Sequence, residues 1–168
     1  AKRYQIDSDI LQEVLSHYTV NNGRMEAFQM GSNDVTLNLA KNPVGANMTL
    51  RVMNEMQGEK ELLFVLNDNI ADGLDVSWIW DINFSTFRNV TRVVTSGTRA
   101  YDIAVRIKCS GYDARNIVVR PDLDEAVAEL NTTQGKKFVI ANYTAVQPTR
   151  SALQRWIAHH GGAAHETN

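Results

Sequence analysis

Leu62–Asp81 reads LLFVLNDNIADGLDVSWIWD. Its opening, Leu62–Leu66, is an unbroken apolar run too short for a helix and of the kind a strand shows when both its faces are covered. The remainder, Asn67–Asp81, carries Asp68, Asp72, Asp75 and Asp81 with Trp78 and Trp80 interleaved. That is the composition of a long loop leaving the carboxyl end of a buried strand. Downstream, short apolar runs recur at Val90–Thr95, Ile117–Val119 and Phe138–Ala141. Helical patterns follow them. Thr98–Ser110 puts Ala100, Ile103, Ala104 and Ile107 on one face, Pro121 opens a helix with Leu123, Ala126, Val127 and Leu130 on one side, and a helix near Thr149–Ala158 turns Leu153, Trp156 and Ile157 inward. Upstream, Arg24–Met30 and Val35–Ala40 read as strands around a Gly31-Ser32-Asn33-Asp34 turn, and Asn47–Met56 as a helix. Alternation of Val35, Leu37 and Leu39 with Thr36 and Asn38 suits a half-covered strand near a sheet edge. Strands alternating with helices predict a three-layer, Rossmann-like α/β domain with a mainly parallel sheet and helices on both faces.

A chain of 168 residues with 43% hydrophobic content suits one such domain. Residues 21–158 are expected to form it. Residues 1–20, with a helix at Ser8–Tyr18, read as the end of a preceding domain or a lead-in helix, and residues 159–168 as a disordered tail. The helix-like opening without Met suggests a piece of a larger protein. The net charge of −2 gives no pull toward nucleic acid or anionic membrane. No run of about 18 apolar residues predicts a transmembrane helix, and the first residues lack the apolar core of a signal peptide. Cys109 is the only cysteine, so neither an intramolecular disulfide nor a cysteine-based zinc site can form within the chain. A reducing cytoplasm fits, and Cys109 itself reads as a small buried residue.

In open parallel sheets ligands bind beyond the carboxyl ends of the strands, and four polar clusters fall there. Lys41 and Asn42, before Pro43 and Gly45, end one strand; Lys41 can meet phosphate or acyl-phosphate oxygens, or can be a solvated lysine in a structural turn. The Asn67–Asp81 carboxylates can hold Mg²⁺ or orient a histidine, or can simply make turn and cap bonds. No histidine lies near them in sequence: His17, His159, His160 and His165 sit toward the chain ends. Thr98 and Arg99, at a strand–glycine–helix junction, form a candidate anion cradle of a common kind. Asn142-Tyr143-Thr144 ends the last strand, and Tyr143 can line a site or cap the core. The chain has no GxxxxGK[ST], GxGxxG, HExxH or GxSxG motif. It carries no self-contained catalytic apparatus and should contribute to a composite site or act as a binding domain.

Gly23-Arg24-Met25-Glu26, followed by Leu39-Ala40-Lys41-Asn42-Pro43, resembles the opening of a Mur ligase C-terminal domain, with lysine where the peptide-adding ligases have histidine. That lysine is similar to the MurT family. The likeness continues through Asn67-Asp68-Asn69, Ala71-Asp72-Gly73, Asp75-x-Ser77-Trp78-Ile79, Gly97-Thr98-Arg99-Ala100 and Asn142-Tyr143-Thr144, over about residues 20–147.

The resemblance implies a ligase subunit that works with a GatD-type glutaminase to amidate the D-glutamate α-carboxylate of lipid II, at the cytoplasmic face of the membrane. ATP and Mg²⁺ serve the full-length enzyme, and neither is expected to bind tightly to this domain alone, which holds no metal site. Asp75 matches the aspartate that orients the glutaminase histidine in trans. Lys41, Asn42 and Asp72 match the ATP side, and Trp78 and Trp80 are candidate partner contacts. A non-catalytic module that recruits a glutaminase and an unrelated Rossmann-like nucleotide binder stand as alternatives.

Overall fold

A computed structural model describes residues 23–160, with residues 7, 9, 10 and 12 before them. The expected lead-in helix falls outside the described residues but for residues 9, 10 and 12, and so does the tail beyond His160.

Among the described residues, six strands form one sheet: β1 (Glu26–Met30), β2 (Asn33–Leu39), β3 (Lys60–Val65), β4 (Val90–Ser96), β5 (Ile117–Val119) and β6 (Lys136–Ala141). Their order is β1-β2-β6-β3-β4-β5. Only the β1–β2 hairpin is antiparallel; every other pairing is parallel. The mainly parallel α/β architecture expected from the sequence is therefore what the chain adopts. All six residues of β3 are buried: Leu62–Val65 as the apolar run demands, and the charged Lys60 and Glu61 with them.

Helices α1 (Pro43–Glu55), α2 (Ala100–Cys109), α3 (Leu123–Leu130) and α4 (Tyr143–His160) cover the sheet. Ala46, Leu50 and Met53 of α1 and Ile103 and Ile107 of α2 share one core layer with Ile79, Ile82 and Phe84 of the loop after β3. Ala126, Val127 and Leu130 of α3 and Ala145, Val146, Ala152 and Leu153 of α4 form the other layer.

Several boundaries differ from the sequence reading for identifiable reasons. Helix α1 begins four residues before the expected Asn47, because the Asn42 side chain accepts from the Gly45 N–H at 2.9 Å and Pro43 occupies the first helical turn. Helix α4 begins at Tyr143, well before Thr149: the Asn142 carbonyl takes the N–H groups of both Ala145 and Val146, and Pro148, just ahead of the expected start, is carried inside the helix. The same helix runs through His159 and His160. Pro121 precedes α3, whose cap is Asp122. The hairpin turn is Gly31-Ser32 alone, since Met30 already pairs with Asn33. Cys109 is exposed and not buried: it lies two positions past Ile107, on the far side of α2 from its inward stripe.

Glu26 accounts for the Gly-Arg-x-Glu opening. Its carboxylate accepts from Arg150 Nε at 2.9 Å and Nη2 at 2.7 Å, which ties β1 to α4, and from the Gly23 N–H at 3.2 Å. The Arg150 bond holds the Glu26 carboxyl below its usual value.

Candidate functional site

The polar residues gather where β2, β6, β3 and β4 end side by side. Helix α1 leaves β2 on one face of the sheet and α4 leaves β6 on the other, so a crevice opens between them, as at the switch points of doubly wound sheets. Asn142 ties its floor. Buried to 2% exposure, it accepts from the Asn67 N–H at 3.0 Å and donates to the Asn67 carbonyl at 2.7 Å, extending the β6–β3 ladder with a side chain. The sequence reading named Asn142 only within a motif; its pairing with a distant strand end leaves no local signal.

Lys41 and Asn42 stand exposed at the end of β2, at the mouth of α1. Asn42 is already engaged as the helix cap. Thr98 and Arg99 lie at the end of β4, where the expected anion cradle holds the protein's own Asp68. The Thr98 hydroxyl donates to Asp68 at 2.7 Å, and Arg99 Nε donates to its other oxygen at 2.8 Å. Those bonds, Thr98 first, hold the Asp68 carboxyl below its usual range. Arg99 also lies 3.6 Å from Asp102, and the Thr98 N–H donates to Asn67 at 3.1 Å.

Gly97 makes this packing possible. It adopts φ +90°, and a Cβ there would lie 2.5 Å from the Leu66 carbonyl oxygen and 2.7 Å from the Asn67 side chain. Gly97→Ala is expected to cost about 3 kcal/mol from backbone strain and overpacking together. A chemical-denaturation midpoint measured beside the parent checks it.

From Leu66 the chain runs into three short 3₁₀ turns, Ile70–Asp72, Ser77–Asp81 and Phe84–Thr86. Asp72 is clasped to the start of α4: the Thr144 N–H donates to one carboxylate oxygen at 2.8 Å and the Thr144 hydroxyl to the other. Asp75 sits on the exposed bend between the first two turns. Its Oδ1 accepts from the Ser77 N–H at 2.7 Å, and that bond holds its carboxyl below the ordinary aspartate value.

The two tryptophans part ways. Ile79 between them is buried, and the three-residue repeat of the turn carries Trp78 against the core while Trp80 stays 54% exposed. The Arg106 guanidinium lies 5.5 Å from the Trp80 ring centroid and 5.6 Å from that of Phe84, and its Nε donates to the Ile79 carbonyl at 3.2 Å. The turn is thus braced from α2. Ile70, Leu74, Tyr101 and Val105 are exposed as well, on the same loop and the outer face of α2.

Among the described residues the histidines are His159 and His160, at the opposite end of α4 from Tyr143. At about 1.5 Å rise per residue they stand about 25 Å from the crevice. No group of His, Cys, Asp and Glu able to hold a metal occurs among the described residues. Nor is any helix among them long and apolar enough to cross a membrane.

Residues 39–146 match the family model described as MurT ligase C-terminal. The chain belongs to that family. The MurT subunit of lipid II isoglutaminyl synthase (glutamine-hydrolyzing) from Staphylococcus aureus is 37% identical over 140 residues, covering 82% of this chain and 32% of that protein. Its counterpart from Streptococcus pneumoniae is 32% identical over 150 residues, covering 88% of this chain and 34% of that protein. The chain therefore spans about a third of the length of the curated relatives it matches. Among solved structures, the UDP-N-acetylmuramate–alanine ligase MurC of Thermotoga maritima superposes with a TM-score of 0.69 at 11% identity, over 96% of this chain and 35% of that one. A folylpolyglutamate synthase of Mycobacterium tuberculosis, complexed with ADP, gives 0.63 at 16% identity, over 89% and 36%. These structures share the fold of this MurT-family domain, which is that of a Mur ligase C-terminal domain.

Proposed function

We propose that this chain is the C-terminal part of the MurT-type synthetase subunit of a lipid II isoglutaminyl synthase, and that Asp75 serves the active site of a GatD-type glutaminase docked against it. The observation that carries this reading is Asp75 itself. It is a solvent-facing carboxylate with a depressed pKa, on the bend that leads into a turn braced from α2, with no histidine at its end of the sheet among the described residues. Such a group has no histidine beside it among the described residues, and it can orient one in trans.

In this mechanism Asp75 accepts the ring N–H of the glutaminase histidine. That fixes the tautomer and stabilises the imidazolium as the partner's cysteine attacks the glutamine carboxamide and ammonia leaves. In the synthetase, ATP with Mg²⁺ phosphorylates the D-glutamate α-carboxylate of lipid II, and ammonia displaces the phosphate to leave the amide. Of the groups that ATP needs, this chain offers the exposed Lys41 beside Asn42 at the mouth of α1, with Asp72 held at the start of α4, and no phosphate loop. The nucleotide and its metal are then held mainly by the rest of the enzyme. Exposed Ile70, Leu74 and Trp80 on the loop that carries Asp75, with Tyr101 and Val105 exposed on α2, suit the apolar centre of a docking surface for the glutaminase.

The full-length protein, mixed with its cognate glutaminase, lipid II, ATP, Mg²⁺ and glutamine, is expected to yield lipid II in which one carboxyl has become a carboxamide, read by mass spectrometry. Failure to form it from an assembled, folded complex would overturn the assignment. Full activity in both Lys41→Ala and Asp75→Ala would leave this domain as a recruiting module only.

A further inference from the structure

We propose that Thr144 is a positioning residue for Asp75, holding the Asn69–Asp75 loop to the body of the domain through its hydroxyl. The inference rests on the role given to Asp75 above.

That loop has little else to hold it. The Ile70–Asp72 turn buries no side chain, Ile70 is 90% and Leu74 70% exposed, and Gly73 takes φ +80°. On its far side the chain is anchored where Val76 and Ile79 enter the core. On its near side Asp68, just before the loop, is held by Thr98 and Arg99, and within the loop the anchor is Thr144. A hydroxyl has one proton and two lone pairs, and Thr144 uses all three. It donates to Asp72 Oδ2, accepts from Asn69 Nδ2 at 2.8 Å, and accepts from Asn67 Nδ2 at 3.4 Å. Its backbone N–H meets Asp72 Oδ1 at 2.8 Å.

Thr144 is itself fixed as the second residue of α4, whose start is pinned by Asn142. Its N–H is one of the first-turn donors that a helix leaves free, so Asp72 also places negative charge at the helix N-terminus. From Asp72 to Asp75 the chain takes three steps of about 3.8 Å. Loss of the clasp therefore frees the near side of the segment that carries Asp75, leaving it held from Val76 and Ser77 alone.

Thr144→Val keeps the shape and the N–H and removes the hydroxyl; Thr144→Ser keeps the hydroxyl. With the full-length protein bound to its glutaminase, Thr144→Val is expected to lower kcat for glutamine hydrolysis about 100-fold, as misplacement of a catalytic group does. KM for glutamine stays near the parent value, because glutamine binds the other subunit. Thr144→Ser restores most of the rate. Amide hydrogen exchange across residues 70–76 is faster in the Val variant and parental in the Ser variant. A parental kcat in Thr144→Val, or a Ser variant as slow as Val, overturns the positioning role and leaves Asp75 untouched. A parental kcat in Asp75→Asn overturns the reading on which it rests, whatever Thr144 does.

Discussion

Asp75→Asn, placed in the full-length synthetase with its glutaminase, is expected to leave docking intact and to lower glutamine-dependent amidation by on the order of 10³–10⁴, the range seen when an orienting carboxylate loses its charge. The substitution is nearly isosteric. The new carboxamide oxygen can still accept from the Ser77 N–H, now 2.7 Å from Asp75 Oδ1, so the turn keeps its shape. What disappears is the negative charge that holds the histidine in one tautomer and stabilises its imidazolium. Ammonium chloride supplied in place of glutamine bypasses the affected step, and amidation then recovers. Copurification of the variant pair together with an ammonia-driven rate would locate the defect in ammonia release. Parental glutamine-dependent turnover would remove Asp75 from the mechanism.

The pH dependence follows from the same geometry. The Ser77 N–H depresses the Asp75 carboxyl below its ordinary value. The stabilisation that the bond gives is present above that ordinary value and fades only as the pH falls through the depressed one. Loss of glutaminase activity on mild acidification therefore belongs to the histidine, whose unperturbed pKa is about 6.5.

The sheet was legible in the sequence because the central strands carry short apolar runs, and Leu62–Leu66 is the plainest. The helix starts were less so. Asn42-Pro43 and Asn142 open helices through side-chain and carbonyl caps, and Pro148 hides inside one, so composition alone shifts both starts downstream. The polar clusters that hold Asp75, Asp72, Lys41 and Asn42 stand out because strand ends concentrate polar residues in this architecture; the choice of Asp75 within its cluster rests on the family resemblance. What no local pattern shows is which of them find partners. Asp68 fills the cradle of Thr98 and Arg99 from 30 residues away, and Asp72 reaches Thr144 from 72 away. Trp78 and Trp80 look alike in sequence; the 3₁₀ pitch between them sends one to the core and one to solvent.

Lys137→Met is expected to cost about 3–5 kcal/mol, the range for leaving one member of a buried ion pair alone. At 2–4 °C per kcal/mol for a chain of this size, that is a thermal midpoint lower by about 10 °C. Lys137 and Glu61 face each other in register on β6 and β3, at the end of the sheet opposite the crevice. Their side chains are 1% and 3% exposed, with Lys137 Nζ 3.0 Å from Glu61 Oε2. Thr133 closes the triangle, accepting from Lys137 at 2.8 Å and donating to Glu61 Oε1. Met fills the space of the lysine stem, so the loss is electrostatic: a carboxylate is left in the core with a single hydroxyl for company. Replacing both partners, Glu61→Leu with Lys137→Met, removes the stranded charge and should recover stability to within about 1 kcal/mol of the parent, since the desolvation of the two ions offsets much of their attraction. Thermal melts of the two single variants and the double variant form a cycle whose coupling energy isolates the pair. Additive losses would mean that the two charges do not depend on each other, and that the packing around β3 and β6 sets the cost.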